Sequence, residues 1–431
     1  MATSFLLIAV CVAAILLSRK LYRDVFTPLC VYVSVWSLCL LLFHLRLVNY
    51  FELETRSVAL IAASILSFGV GCLMARQKIP KFEKNAASVI DLKSLESVTK
   101  TMFVLNLLGT LIFVHQMDSM YGLGTYISDV GIIRRDYQAW THLGPLGFLT
   151  MLDYPLMACA VAHYIGTRKW RWFSVCALIL VTCQTVLRTD RGSLTYYSIT
   201  GVALWIYWNR WRVLDWKMVR RLGMVAVLLV GYFLGLGYSY GKLASLDNGV
   251  LEAKDLTVTS EVAVALASPY IYATSPIGGF QAAIADVSHL EWGTHTFYPV
   301  ARVLYGLGII DQQLEPYNFD YYMVPIPVNT YTHLYTFYQD FGSAGVVFFP
   351  LVLGYLETRA YLRMRARPTL FLLGASAAFM ALNVFSVFVP LVIGLAFWYY
   401  FMVLYAVSRL CHSPGTALEP ASLTGAVPRT V

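Results

Sequence analysis

The stretch HTFYPVARVLYGLGIIDQQLEPYNFDYYMVPIPVNTYTHLYTFYQDFGSAG, from His295 to Gly345, interrupts a chain that is otherwise a succession of apolar runs. It is polar and dense in tyrosine, and it leads directly into the apolar segment VVFFPLVLGYLE (Val346–Glu357). A polar insertion delivered into an apolar run is the pattern of a loop outside a membrane that meets the helix carrying the chain back in. The fold therefore turns on what flanks this insertion.

Hydrophobic residues make up 58% of the 431 and charged residues 13%, with a mean hydropathy of +0.63. Soluble domains carry about a quarter charged residues, so a polytopic membrane protein is expected. The net charge of +8 does not imply a nucleic-acid partner, because in such a chain surplus Lys and Arg mark cytoplasmic loops. Seven of the eight cysteines sit in apolar runs and Cys411 in the tail, so neither disulfides nor a cysteine metal site is expected.

Runs long enough to cross the hydrocarbon core as helices fall near 4–18, 26–44, 57–75, 101–117, 146–165, 172–187, 193–208, 222–240, 341–357, 369–386 and 391–408, about 11 in all. The first is kept as a helix, since no charged stretch precedes it and no A-x-A site follows. The fold expected is an all-α, polytopic helical bundle, a single transmembrane domain over 1–412 with a disordered cytoplasmic tail over 413–431. Of the 32 Lys and Arg, 23 fall in 19–25, 76–100, 166–171, 209–221, 358–368 and the tail, and nine on the other side. The positive-inside bias then puts the N-terminus outside and the C-terminus in the cytoplasm. Two sizeable insertions, 118–145 and 241–340, face outward, and function in a helical scaffold concentrates on such loops. In the longer one, Val262 to Ala273 is apolar, too short to span and broken by Pro269, which suits an interfacial or re-entrant helix. Gly231 and Gly235 form a GxxxG expected to serve close helix packing.

Arginine on the outer face runs against the charge bias and needs a reason. Arg134 and Arg135 lie in YGLGTYISDVGIIRRDYQAW, Arg188 and Arg191 flank a minimal turn in LRTDRGSL, and Arg302 lies in the long loop. Guanidinium groups bind phosphate oxygens bidentately and stay charged at physiological pH, which makes these five candidates for a lipid phosphate. The bland alternative is snorkelling to phospholipid headgroups or pairing with Asp136 and Asp190. The many tyrosines of 241–340 suit either sugar rings or an aromatic belt. Among them Tyr331, with Asn329 in the same PVNTYTHLY, is the substrate-binding candidate. Transfer of a glycosyl group with inversion needs one general base, for which His333, His295 and Asp340 are candidates. The outer segments also carry His142, His289, Glu291, Asp311, Glu315 and Asp320 but no DxD pair, so no metal or other cofactor is expected and arginines would stabilise a pyrophosphate leaving group. Asp340 with Gly342 and Gly345 also reads as the capped N-terminus of the ninth span.

PVNTYTHLYTFYQDFGSAG (Pro327–Gly345), TDRGS (Thr189–Ser193) and YGLGTYISDVGIIRRDY together resemble the polytopic polymerases that join lipid-linked oligosaccharide repeat units into O-antigen or exopolysaccharide. The resemblance implies a GT-C-like helical membrane enzyme of the bacterial inner membrane, a metal-independent inverting glycosyltransferase. Its donor and acceptor would be oligosaccharides on undecaprenyl pyrophosphate, gripped by outer-face arginines, with Arg191 in the TDRGS-like turn the best match. It also implies membrane lipids, a chain-length regulator and a repeat-unit flippase as candidate partners. O-antigen ligase and a polysaccharide transporter or flippase are the alternatives. Transport expects charges at mid-membrane, whereas Asp153 and Glu357 read as lying near span ends. Reporter fusions after Lys84, Arg212 and Arg365 are expected to report cytoplasm, and fusions near Thr141 and Gln312 the outer side. An outer signal at Arg365 would overturn this topology, because it forces the long loop inside.

Overall fold

The computed structural model describes residues 2–76, 90–128, 146–188, 191–211, 215–239, 257, 261–310, 321–324 and 326–412. Arg134, Arg135, His142, Asp311, Glu315, Asp320 and the tail lie outside them. Helices dominate: α1 (Ala2–Tyr22), α2 (Pro28–Leu45), α3 (Thr55–Arg76), α4 (Leu92–Tyr121), α5 (Leu123–Ser128), α6 (Gly147–Thr150), α7 (Asp153–Thr167), α8 (Trp172–Leu187), α9 (Arg191–Trp208), α10 (Trp216–Ser239), α11 (Glu261–Asp286), α12 (Tyr298–Gly306), α13 (His333–Ala366), α14 (Leu370–Phe385) and α15 (Leu395–Leu410). Among the described residues the strands are β1 (Tyr322–Val324) and β2 (Ile326–Val328), an antiparallel pair with Tyr322 opposite Val328.

Among the described residues, five helical stretches are long and apolar enough to cross a membrane: α2, α3, α4, Gly147–Thr167 and α13. Three further apolar helices, α8, α14 and α15, are shorter. The chain is an all-α membrane protein, and α4 shows the physical signature. Val104, Leu107, Leu108 and Leu111 line one face and are exposed, while Asn106, Gly109, Thr110 and Phe113 are buried on the other. That is the reverse of a helix in water, where the apolar stripe turns inward.

Inside the expected domain 1–412 the chain packs as two compact units interleaved in sequence. Unit 1 comprises Met1–Gln77, Trp211–Thr358 and Phe379–Trp398, and unit 2 comprises Lys78–Arg210, Arg359–Ala378 and Tyr399–Val431.

In unit 1, Thr27 caps α2 by accepting the Cys30 N–H at 3.2 Å, with Pro28 at the first helical position. The other end of α2 is closed by Tyr270 of α11, whose hydroxyl donates to the Leu42 carbonyl at 2.7 Å and accepts the Leu47 N–H at 3.2 Å. Gln281 accepts the Glu54 N–H at 2.7 Å and donates to the Glu52 carbonyl at 3.2 Å, and Thr274 bonds Tyr50 at 2.8 Å. These bonds run along one continuous helix. The Val262–Ala273 segment, expected to be a short broken piece, is thus the start of a 26-residue helix that tolerates Pro269 and Pro276 inside it. The sequence reading missed this because the helix continues on polar residues that find partners in the 46–54 loop. Likewise α13 runs past the first charges to Ala366, through part of what reads as a cytoplasmic loop.

Close glycine packing occurs elsewhere than expected. A Cβ on Gly71 would lie 2.0 Å from the Leu351 carbonyl oxygen, and one on Gly354 would lie 2.3 Å from that of Phe68, so α3 and α13 meet backbone to backbone. Cβ atoms built on Gly231 and Gly235 meet no described atom within 4 Å.

The turning point of unit 1 is Gly342, whose φ of 60° and ψ of −149° break α13. Phe337 stacks on Phe349 with ring centroids 4.7 Å apart, although twelve residues of straight helix would separate them by about 18 Å. Residues 333–341 therefore fold back on the helix that follows. Such backbone angles are essentially confined to glycine, and forcing another residue into them costs about 1–3 kcal/mol. Gly342→Ala is expected to lower the melting temperature of the purified protein in detergent, whereas Ser343→Ala, on the exposed face, leaves it unchanged. Equal melting of both variants and wild type would contradict the reversal.

Candidate functional site

In unit 1 the fold-back places Asp340 under the segment 291–297. Its carboxylate is fully buried and accepts the His295 N–H at 3.2 Å and the Thr296 N–H at 2.5 Å. Backbone bonds from Glu291 N to Gln339 O (3.1 Å) and from Trp292 N to Asp340 O (3.2 Å) add a second clip. The strap 291–297 is tight enough to need Trp292 at φ 48° and Gly293 at φ 97°. Gly293 has no room for a Cβ, which would sit 2.9 Å from the Phe297 ring. Asp340 is thus not the cap of the span that follows, as its sequence position suggests. It anchors the strap, and its two oxygens are engaged by amides rather than presented to a substrate.

The strap carries His295, half-buried, and leads into α12, on which Arg302 is exposed. His289 pairs with Glu291 at 2.9 Å on the same strap. A half-buried imidazole on a pinned backbone, followed by an exposed guanidinium on the adjoining helix, places a proton acceptor and an anion-binding group on consecutive elements. Apolar side chains of the strap and α12, among them Trp292, Phe297, Val300 and Val303, are exposed as well, the composition of a segment lying in a headgroup zone.

Tyr331 and His333 take other positions. Tyr331 is fully buried, edge-on to Tyr322 and Tyr335, and its ring fills the space over Gly279, where a Cβ would approach it to 2.9 Å. It is a core residue seating the β1–β2 hairpin on α11, where Gly278 makes the matching room for Val324. Asn329, two residues earlier, is exposed. His333 is buried with its Nε2 3.2 Å from the Tyr32 hydroxyl, which in turn is 3.0 Å from Ser64. The ring faces the interior of unit 1, not the loop, so of the three proposed bases the structure leaves His295 at the accessible position.

Unit 2 holds the second group. Arg188 donates to Asp153 at 3.0 Å and to the Thr150 carbonyl at 3.2 Å, and its guanidinium lies 6.0 Å from the Phe113 ring centroid. Tyr197 donates to the same Asp153 oxygen at 2.7 Å. Among the described residues the acid that pairs with Arg188 is Asp153, and Asp190 and Asp136 lie outside them. Arg191 opens α9, which is tied to α7 by Tyr154 and Ser193 at 2.9 Å. The Arg191 side chain, like Thr189 and Asp190, lies outside what is described.

Two groups escaped the sequence reading. Arg56 donates to the Tyr338 hydroxyl and sits 5.5 Å from that ring's centroid, so an arginine at the start of α3 is held against the helix that carries Asp340. Glu357 lies within α13, which continues to Ala366, and Asp153, at the first position of α7, is fully buried. An acid within an apolar run was the available signal, since such residues are costly and retained for a reason.

No family model, no curated protein and no solved structure matches this chain.

The Arg188–Asp153 pair is nearly buried, with 13% and 0% of the two side chains exposed. Removing one partner strands a buried charge, at a cost of about 3–5 kcal/mol, whereas removing both charges costs less. Arg188→Ala is expected to destabilise the protein strongly in detergent melts, and the double variant Asp153→Asn with Arg188→Gln to recover part of the loss. A double variant no more stable than Arg188→Ala would show that the pair is not the source of the effect.

Proposed function

We propose that this chain is a membrane glycosyltransferase that polymerises undecaprenyl-pyrophosphate-linked oligosaccharide repeat units into O-antigen, capsular or exopolysaccharide on the extracytoplasmic face of the bacterial inner membrane. The reading includes about 11 spans, the three short apolar helices among them, with the N-terminus outside and the C-terminus in the cytoplasm. The observation that carries it is the pinned strap of unit 1, where Asp340 holds the backbone of His295 and Arg302 stands exposed on the adjoining helix.

In this mechanism the acceptor hydroxyl gives its proton to His295 as it attacks the anomeric carbon from the face opposite the leaving group. The bond from that carbon to the donor pyrophosphate breaks with inversion. Negative charge grows on the departing pyrophosphate, so an arginine aimed there binds the transition state more strongly than the ground state. Arg302 is assigned to that charge; Arg191, in the TDRGS turn, is a separate candidate on the sequence resemblance alone. Asp340 is a positioning residue and touches no substrate. Arg188, already held by Asp153, orders the end of α8 instead.

Transport of a glycan or its carrier is the second reading, favoured by Glu357, a buried acid within α13. Losing one preorganised donor to a developing charge costs on the order of 100- to 1000-fold in rate. Cells carrying Arg302→Ala or Arg191→Ala are therefore expected to accumulate single lipid-linked repeat units and no long polymer, with lysine restoring only part because it loses the fork geometry. Arg46→Ala is the control, since Arg46 pairs at 3.0 Å with the exposed Glu52 and should give normal polymer. Normal polymer from both site variants at equal protein abundance would sink the assignment. Repeat units trapped on the cytoplasmic leaflet would favour transport.

A further inference from the structure

Four carboxyl groups are buried among the described residues: Asp24, Asp153, Asp340 and Glu357. Three are accounted for. Asp24 accepts the Phe26 N–H at 2.8 Å, Asp153 meets Arg188 and Tyr197, and Asp340 takes two backbone amides. Glu357 differs. Its Oε2 accepts from Asn383 Nδ2 at 2.7 Å, while its Oε1 is buried with no partner among the described residues. No described cation faces it; the titratable groups its charge reaches are the phenol of Tyr32 on α2 and the thiol of Cys72 on α3.

The surroundings extend into a connected polar path through unit 1. From Asn383, whose carbonyl accepts from Ser386 Oγ at 2.8 Å, contacts lead to Trp36 Nε1 on the same hydroxyl at 3.1 Å and to the His333 N–H on the Ser386 carbonyl at 2.9 Å. His333 continues to Tyr32 and Ser64, and its Nδ1 is a second buried atom without a partner among the described residues. An anion in an apolar interior with neither a cation nor a full set of donors is far more costly than the neutral acid.

We infer that Glu357 is a proton-binding site inside the membrane-spanning part of unit 1, carrying its proton on Oε1 while Oε2 accepts from Asn383. Taking up and releasing that proton changes the charge of the core of unit 1 by one, which is what coupling a step of this protein to protons requires. The site stands apart from the glycan reading, and its test uses no sugar.

The test uses the full chain in membrane vesicles and dicyclohexylcarbodiimide, an apolar reagent that reacts with protonated carboxyl groups. The carboxyl proton passes to a reagent nitrogen, the carboxyl oxygen adds to the central carbon, and rearrangement leaves a stable N-acylurea that retains the whole reagent. Mass spectrometry is expected to find this adduct on the Glu357 peptide at neutral pH, diminishing in alkaline buffer and absent in Glu357→Gln. The same peptide labelled after denaturation in acid establishes that it is detectable. No adduct on Glu357 in the native protein at any pH would overturn the proposal. Labelling abolished by Na+ at constant pH would overturn it too, by making the site one for a metal cation.

Discussion

The Asp340 carboxylate, with the His295 and Thr296 amides on its two oxygens, is the contact on which the strap of unit 1 hangs. It works only because Gly342 reverses the chain directly after it, so that the short helix 333–341, which carries His333 and Tyr338, folds back on the long span. Burying a carboxylate is expensive, and two charge-assisted amide bonds are what make this one tolerable. The same bonds fix the backbone of a histidine on the strap, so one residue supports the fold and orients the candidate chemistry.

The buried acids illustrate separate solutions to one electrostatic problem. Asp153 is matched by a guanidinium and a phenol, Asp340 by backbone amides, and Glu357 by a single side-chain amide on one oxygen. A pair such as Arg188–Asp153 holds an arrangement in place, because neither partner can leave without stranding the other. A carboxyl with one oxygen unmatched has no such lock and can change charge. Structural and exchangeable acids are therefore distinguished by what surrounds each oxygen, not by depth of burial.

Much of the fold was legible in composition and hydropathy, because a bilayer allows few backbone arrangements and helices satisfy their own hydrogen bonds. The helices at 28–45, 55–76 and 172–187 sit close to where apolar runs place them. What escaped was set by partners distant in sequence. α11 passes two prolines because Tyr270, Thr274 and Gln281 bond residues more than two hundred positions away. Tyr331 reads as a surface aromatic because its neighbours are polar, yet two glycines on α11 open the core to the hairpin it belongs to. Asp340 reads as a helix cap since the sequence carries no sign that the chain reverses at Gly342 rather than continuing. In the candidate site, the loop and its residue types were visible in advance, but their division into anchor, core and accessible groups was not.

That division bears on how outer-face arginines should be read. Their number suggested a shared grip on phosphate, but each side chain that can be followed has its own circumstances. Arg46 is paired with an exposed glutamate and is worth little to stability or binding, as surface pairs generally are. Arg188 has surrendered its charge to a buried acid. Arg56 leans on Tyr338, an aromatic partner that orients a guanidinium without neutralising it. Arg302 is exposed on a helix whose apolar side chains are also exposed, so that helix can rest in the headgroup layer with a cation among its phosphates. For the glycosyl transfer proposed above, that placement matters, because in a layer where water is scarce and screening weak a guanidinium that keeps its charge discriminates a growing negative charge far better than it could in bulk solvent.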